Sequence, residues 1–154
     1  MKKTLIVIAA LAIGLFGFIA YSGIFHTVTV SEKAIGPFTM VLKAHKGSYY
    51  GTGDVFKEVA KSLNAFIDPE KLLAVGIYYD DPAKVKAEEL RSECGFILGR
   101  DDLTKIVSLR KSFIIKAFPK TTCMVGEFPI KTPLSYMIGP SRAYPKLSEY
   151  IQEK

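Results

Sequence analysis

The sequence predicts an α+β protein with one membrane-spanning helix at its start. The chain opens with an uncharged apolar run at residues 4–25. Segments with the patterns of strand, helix, strand and strand follow, and then further strands and a last helix. A short, turn-rich link joins the two strands after the first helix. This link favours an antiparallel sheet, because parallel neighbours need a long crossover connection.

The composition fits one globular domain and argues against nucleic acid as a partner. The 154 residues are 49% apolar and 23% charged, which excludes a disordered or fibrous chain. The net charge is +6, and Lys2 and Lys3, which precede the apolar run, supply two of these charges. The other lysines are scattered among Asp and Glu, so no basic stripe exists to follow a phosphate backbone.

The apolar run at residues 4–25 has the length of a membrane anchor. Its 22 residues form a helix of about 33 Å, which spans a hydrocarbon core. Tyr21 and Phe25 stand where an interfacial aromatic belt lies. The alternative is a cleaved signal peptide, because Lys2 and Lys3 form an n-region and Ala20-Tyr21-Ser22 is a small-x-small tripeptide. The run is longer than a typical signal core, which favours the anchor.

The charge bias also predicts an orientation and a division of the chain. The two N-terminal lysines and the α-amine place the N-terminus in the cytoplasm. We therefore expect an anchor at 1–25, in contact with membrane lipid, and an extracytoplasmic domain at 26–154. Ala10 and Gly14 form a small-xxx-small pair, so a homo-oligomer packed through the anchor is one alternative.

The first half of the domain has a clear order of elements. Residues 38–45 are rich in β-formers and predict a strand. Apolar residues recur at helical spacing over 52–66, which predicts an amphipathic helix that covers a sheet. Residues 72–79 predict a second strand, which Asp80-Asp81-Pro82 ends.

The second half is predicted to repeat this order incompletely. Residues 90–98 predict a third strand, and residues 103–109 a short helix. Further strands are predicted at 113–118 and 121–128. The apolar positions of 134–151 then trace a final helix, broken at its two prolines. The order suggests two copies of a β-α-β-β module with the helices on one face of the sheet and the second copy truncated.

Two cysteines, Cys94 and Cys123, would lie in an oxidising compartment in this orientation. Their spacing matches no metal or redox motif, and no cofactor is predicted. A disulfide between them is one alternative. Two buried thiols are the preferred interpretation.

Two motifs give the chain a family resemblance. The sequence His-Lys-Gly-Ser-Tyr-Tyr-Gly-Thr-Gly at 45–53 precedes the amphipathic helix, and Gly-Ile-Tyr-Tyr-Asp-Asp-Pro at 76–82 follows it, with Arg91 nine residues further on. Together they resemble the GyrI-like small-molecule-binding family. The resemblance is closest to a membrane-anchored branch that contains a testis-expressed ER-phagy receptor.

The resemblance implies a pseudo-twofold domain of two β-α-β-β modules with a ligand cleft between them. Members of the family resemble drug-binding halves of transcription regulators, gyrase inhibitors and small hydrolases. The family continues past the second helix into two more strands, where an acidic residue is usually carried. The sequence ends at Lys154, so we expect an incomplete second module and assign no catalytic acid.

Four residues are candidate ligand-binding residues: Tyr49, Tyr50, Tyr78 and Glu127. An amphipathic tyrosine at a cleft mouth offers a flat apolar face with a hydroxyl group. The alternative for Tyr49 and Tyr50 is packing of the helix against the sheet. Tyr78 and Tyr79 point to opposite faces of their strand, so at most one of them faces a cleft.

Glu127 is the one carboxylate that we place in the cleft. Burial there would raise its pKa and let it bind a cation or act as a base. The alternative is a solvated glutamate at a strand edge. His45 is predicted to point outward and forms no triad. Arg91 and Asp80 or Asp81 are predicted to form an ion pair that holds the turn.

These observations favour a non-catalytic, membrane-anchored domain that binds a small apolar or cationic ligand or a partner protein. One alternative is a small hydrolase of electrophilic compounds, in which Tyr49 or Tyr78 acts with Glu127. The other alternative is a structural or adaptor membrane protein.

Overall fold

A computed structural model describes residues 2–99, 102 and 104–154 as an α+β protein. Its helices and strands follow in this order: α1 Lys2–Tyr21, β1 Val30–Ile35, β2 Phe38–Lys46, α2 Thr52–Leu63, β3 Leu73–Tyr78, β4 Arg91–Leu98, β5 Ile114–Phe118, β6 Thr121–Gly126 and α3 Ser135–Gln152. They form two compact units. The sheet unit is Gly36–Thr121, and the anchor unit combines the chain up to Ile35 with Thr122–Lys154.

The sheet unit contains four strands in the order β3-β4-β2-β5, and α2 covers one face of the sheet. Its neighbouring strands are all antiparallel, as predicted. Val41 on β2 stands opposite both Phe96 on β4 and Ile115 on β5, so these apolar side chains share the face under α2. Val59 and Leu63 of α2 are fully buried against them. This face is therefore the hydrophobic core of the unit.

The predicted β-α-β-β order of the first module is confirmed as β2-α2-β3-β4. The observed ends differ from the predicted ones by one residue in the strands and by three at the end of α2. The relation of a second module to the first stays a prediction, because β5 pairs with β2 while β6 pairs with β1 in a separate two-stranded sheet.

Helix α1 of the anchor unit is long and apolar enough to cross a membrane, by length and composition. It ends at Tyr21, two residues before Gly23, whose φ of 99° suits glycine and whose amide donates to the Ala20 carbonyl at 3.1 Å. Helix α3 then contacts the residues that follow α1. The Ser135 hydroxyl donates to the Ser22 carbonyl at 2.9 Å, and both serine residues are buried.

The prediction for α3 is wrong in one respect, because Ser135–Gln152 is a single helix with Pro140 and Pro145 inside it. Proline removes one amide donor and crowds the preceding turn, which favours a break, yet the helix continues through both prolines with apolar side chains packed on either side of them. Ile138 is buried before Pro140, and Leu147 is half-buried after Pro145.

Two further segments differ from the sequence-based expectation. Strand β1 was not expected, because Val-Ser-Glu-Lys-Ala-Ile lacks an alternating apolar pattern and its middle residues are exposed. The short helix predicted at 103–109 appears as a 3-10 turn at Val107–Lys111, and part of the predicted segment lies outside the described residues.

Cys94 and Cys123 both carry thiols, as the preferred interpretation expects, but its expectation of burial is met by Cys94 alone. Cys94 is fully buried on β4, whereas Cys123 on β6 is only half-buried. Burial raises the pKa of the Cys94 thiol.

Candidate functional site

A shallow groove of about 430 Å³ lies in the sheet unit where β2 ends and β4 begins. The residues that line it are Ala44, His45, Lys46, Tyr79, Arg91, Ser92 and Glu93. It combines an aromatic ring, a carboxylate and a hydroxyl group in a small space. A few polar groups on a partly apolar wall are typical of small-molecule sites.

The ammonium group of Lys116, which comes from β5, contacts two of the residues that line the groove. Its Nζ lies 2.5 Å from the Glu93 carboxylate and donates to the Tyr79 hydroxyl at 2.9 Å. The same nitrogen is 5.6 Å from the centre of the Tyr79 ring. We call these three groups the ammonium site. The hydrogen bonds to Glu93 and Tyr79 raise the pKa of Lys116, so its charge is held firmly.

The strand register brings these side chains together. Glu93 stands opposite Ala44 of β2, and Lys116 stands opposite Met40 of the same strand. Positions 40 and 44 share one face of β2, because side chains alternate along a strand. Lys116 and Glu93 therefore project from the sheet face that α2 does not cover.

The Ser92 hydroxyl is a buried polar group on the α2-covered face of the sheet, opposite the face that carries the ammonium site, because Ser92 and Glu93 are neighbours along β4. Ser92 is 2% exposed, and its Oγ has no hydrogen-bond partner in the described part of the chain. Its polar neighbour is the Cys94 thiol, which is a weak hydrogen-bonding group. Buried polar atoms without a strong partner are uncommon, and here the weak contact with the Cys94 thiol is the interaction that Ser92 has.

A clamp of side chains holds the turn that follows β3. The Tyr49 hydroxyl donates to the Asp80 carbonyl at 2.8 Å and accepts from the Asp80 amide at 3.1 Å. Arg91 binds the Asp80 carboxylate through two nitrogens, at 2.7 and 3.1 Å, which confirms the predicted ion pair. This pair lowers the pKa of Asp80. The clamp fixes the residue between β3 and Asp80, which is Tyr79.

The structure places the four candidate residues in different surroundings. The Tyr49 ring packs edge-on against Tyr78, with centres 4.8 Å apart, on the sheet face that carries the core. Tyr50 is 90% exposed in the 3-10 turn Tyr49–Gly51 that precedes α2. Glu127 follows β6 in the anchor unit, where its side chain is 72% exposed and pairs with Lys33 at 2.7 Å. The solvated alternative describes Glu127 better than the buried one.

Of the two neighbouring tyrosines, Tyr79 lines the groove, and Tyr78 contacts Tyr49 instead. The alternation of side chains predicts that they separate, but it does not say which one faces the groove. Glu93 and Lys116 were not among the candidates either. No local pattern marks them, since they meet only through the register of β4, β2 and β5.

A second groove, of about 350 Å³, lies at the opposite end of β2 and contains Phe38 and Phe118. Their rings stack with centres 6.2 Å apart. Most of the residues that line this groove are apolar, and none of them carries a charge that could orient a ligand. Among the described residues, no three His, Cys, Asp or Glu side chains lie together in a way that could hold a metal ion.

Comparison with known proteins identifies two homologues. Testis-expressed protein 264 homolog of Mus musculus is 34% identical over 145 residues, which cover 89% of this chain and 45% of that protein. Testis-expressed protein 264 of Homo sapiens is 32% identical over 152 residues, which cover 94% of this chain and 47% of that protein. The chain therefore spans about half the length of these relatives.

No protein-family model matches the chain, and no solved structure matches it either. The resemblance to GyrI-like domains therefore stays a prediction. The comparisons show that most of this chain is homologous to the two proteins named above.

Proposed function

We propose that this chain is a membrane-anchored binding protein whose groove accepts a small, partly apolar cation and catalyses no reaction on it. The observation that carries the proposal is the ammonium site. There, a carboxylate and a tyrosine already hold a positively charged nitrogen, that of Lys116.

The chemistry of the groove suits a cation. A carboxylate and an aromatic ring beside each other are the usual partners of an ammonium group. Lys116 acts as an internal occupant, and a ligand cation would replace its Nζ beside Glu93 and Tyr79. The side chain of Lys116 is long and partly exposed, so it can swing into solvent when it is displaced.

The contacts of the other candidate residues support binding over hydrolysis. The hydroxyl of Tyr49 is engaged by the backbone of Asp80, so it is committed to holding the turn. The Glu127 carboxylate is exposed and paired with Lys33. The hydrolase alternative uses these two groups to polarise a substrate, and retention of any turnover by a Glu127→Gln variant would remove that mechanism.

The proposed anchor is α1, with the N-terminus in the cytoplasm. Both lysines before the apolar run stand at this end of the helix. We expect the full chain to stay in vesicles after alkaline carbonate extraction. In sealed vesicles of cytoplasm-out orientation, protease should spare residues 26–154. Release by carbonate would contradict anchoring, and digestion of the domain would contradict the orientation alone.

The ligand proposal is tested with two ions of the same shape and opposite charge. Tetraphenylphosphonium and tetraphenylborate are added to the full chain in detergent micelles, and the melting temperature is followed. We expect stabilisation by the cation only. Glu93→Gln and Tyr79→Leu should each lower cation affinity several-fold, since an exposed ion pair or cation–π contact is worth about 1 kcal/mol.

Lys116→Met supplies the sharper test, because removal of the internal cation should raise affinity for tetraphenylphosphonium about five-fold. Lys43→Met is the matched control. Lys43 pairs with Glu58 of α2 on the other face of the sheet, so its loss should leave cation binding unchanged. Equal shifts in the wild type and Glu93→Gln would contradict the site. No stabilisation by either ion would favour the adaptor alternative, which crosslinking in membranes tests.

A further inference from the structure

We propose that the start of α3 forms a membrane-surface collar around the end of α1. The collar consists of Ile130, Lys131, Tyr136, Met137 and Arg142. Its apolar side chains enter the headgroup region of the bilayer, and its two cations bind lipid phosphates. This inference rests on the proposed anchoring of α1.

The first step is that α3 begins beside the end of α1. Ser135, in the first turn of α3, donates to the carbonyl oxygen of Ser22, which directly follows α1. The Ser22 hydroxyl lies 2.8 Å from that of Thr132. Ser22 and Ser135 have no exposed surface. Buried hydroxyl groups that satisfy one another fix the two segments at one separation.

The ring of Phe128 makes the junction rigid. A side chain at Gly23 would meet this ring at 2.6 Å, and one at Gly139 of α3 would meet it at 3.1 Å. The ring also forms a T-shaped pair with His26, with centres 5.4 Å apart. Phe128 therefore fills the space between the end of α1 and the second turn of α3. The position of α3 relative to α1 leaves no room for a larger residue at Gly23.

The second step concerns the depth of the collar in the bilayer. The 20 residues of α1 rise about 30 Å, which equals the thickness of a hydrocarbon core. If α1 spans the bilayer, its last residue, Tyr21, lies at the interface. Ser22 and its partner Ser135 must then lie at headgroup level. Interfacial elements bury apolar side chains about 5–10 Å into this zone.

The third step is the surface that the collar presents. Tyr136 and Met137 follow Ser135 directly and are 69% and 65% exposed. Ile130, just before the hydroxyl cluster, is also an exposed large apolar residue. These three apolar side chains are exposed on the protein surface next to a membrane helix. Contact with the lipid bilayer explains why they are not buried within the protein.

The two cations lie at the same level. The Lys131 Nζ is 5.2 Å from the centre of the Tyr21 ring, and the Arg142 guanidinium donates to the Ile24 carbonyl. Neither side chain forms an ion pair with a carboxylate in the described part of the chain. A cation at an interface without a carboxylate partner is suited to a lipid phosphate.

The test uses the absence of tryptophan from this sequence. Single-tryptophan variants of the full chain are placed in vesicles whose lipids carry bromine near the headgroup end of the acyl chains. Phe16→Trp reports on α1. Met137→Trp and the milder Tyr136→Trp report on the collar. Ile151→Trp is the control, because Ile151 is 58% exposed but lies 14 residues further along α3, about 21 Å away.

We expect bromine to quench the two collar reporters strongly and to shift their emission to the blue, while Ile151→Trp keeps the emission of a solvated indole. If Phe16→Trp is quenched and neither collar reporter is, the collar is refuted and the anchor stands. If Phe16→Trp is not quenched, anchoring fails, and the collar fails with it.

The headgroup contacts are tested with brominated phosphatidylglycerol and brominated phosphatidylcholine at equal mole fraction. Each basic residue near an anionic membrane surface strengthens the attraction to that surface about five-fold. Met137→Trp should therefore be quenched more by the anionic lipid. Lys131→Gln with Arg142→Gln should abolish this difference, whereas Lys146→Gln, a control on α3 paired with Glu149, should preserve it. No difference between the lipids in the parent reporter would refute the phosphate contacts.

Discussion

Gly95 on β4 is the position where one added methyl group should do most damage to the sheet unit. It stands opposite Leu42 in the register of β2 and β4 and is buried. A Cβ atom there would lie 1.9 Å from the carbonyl oxygen of Val41 and 3.0 Å from the Cα of Leu42. Real Cβ contacts essentially never fall below 3.0 Å, and both of these atoms are backbone.

The loss of stability in Gly95→Ala depends on which backbone atoms must move to admit the new methyl group. The Val41 oxygen would have to retreat by about an ångström, which separates two central strands of the sheet. Overpacking a rigid core costs about 1–3 kcal/mol, and each ladder hydrogen bond lost adds about 1 kcal/mol. We therefore expect Gly95→Ala to lower the free energy of unfolding by at least about 3 kcal/mol. For a domain of this size, that corresponds to a fall in Tm of about 10 °C or more.

The assay is thermal unfolding of the full chain in micelles, followed by circular dichroism, with Gly53→Ala as the matched control. Gly53 lies in the first turn of α2, and a Cβ there would meet nothing within 4 Å. Alanine should be neutral or stabilising at that position by up to about 1 kcal/mol, because it is the better helix former. A Gly95→Ala protein that melts within 2 °C of the wild type would refute the close approach of β2 and β4.

Three further predictions concern individual groups of the sheet unit. Tyr49→Phe removes both hydrogen bonds to the Asp80 backbone and should cost about 1–2 kcal/mol in denaturant unfolding; an unchanged midpoint would contradict this. Because Arg91 holds the pKa of Asp80 below its ordinary value of 3.8, the pair stabilises the fold above that pH. This contribution is lost as the pH falls through the lowered pKa, so Asp80→Asn should weaken the dependence of Tm on pH below 4. Burial raises the pKa of the Cys94 thiol, so native protein at pH 8 should take up iodoacetamide at Cys123 well before Cys94, as mass spectrometry would show.

The elements that the sequence predicts well are those whose periodicity is local. Helix α2 repeats its apolar positions with a period of 3.6, strand β2 is a short run rich in β-forming residues, and both appear close to their predicted ends. Strand β1 lacks such a pattern, since Glu32 and Lys33 occupy its middle. It forms because β6 offers it a partner, which is information that no short window contains.

The candidate site shows the same limit. Alternation along β3 predicts that Tyr78 and Tyr79 separate, but only the packing of α2 determines which face is covered. Glu93 and Lys116 are 23 residues apart and meet across the intervening strand β2. Such a charged pair depends on the order of the strands in the sheet, and no local sequence pattern predicts that order.

The tyrosines that belong to the motifs therefore have two different tasks. Tyr49 packs against Tyr78 and binds the backbone of Asp80, so these two tyrosines hold the turn after β3. Tyr79, which lies in that turn, lines the groove. A substitution at Tyr49 should weaken ligand binding indirectly, in proportion to the stability it costs. A substitution at Glu93 should weaken binding with little change in the Tm of the ligand-free protein, because an ion pair at the surface stabilises a fold only slightly. The two effects separate positioning residues from residues that touch the ligand.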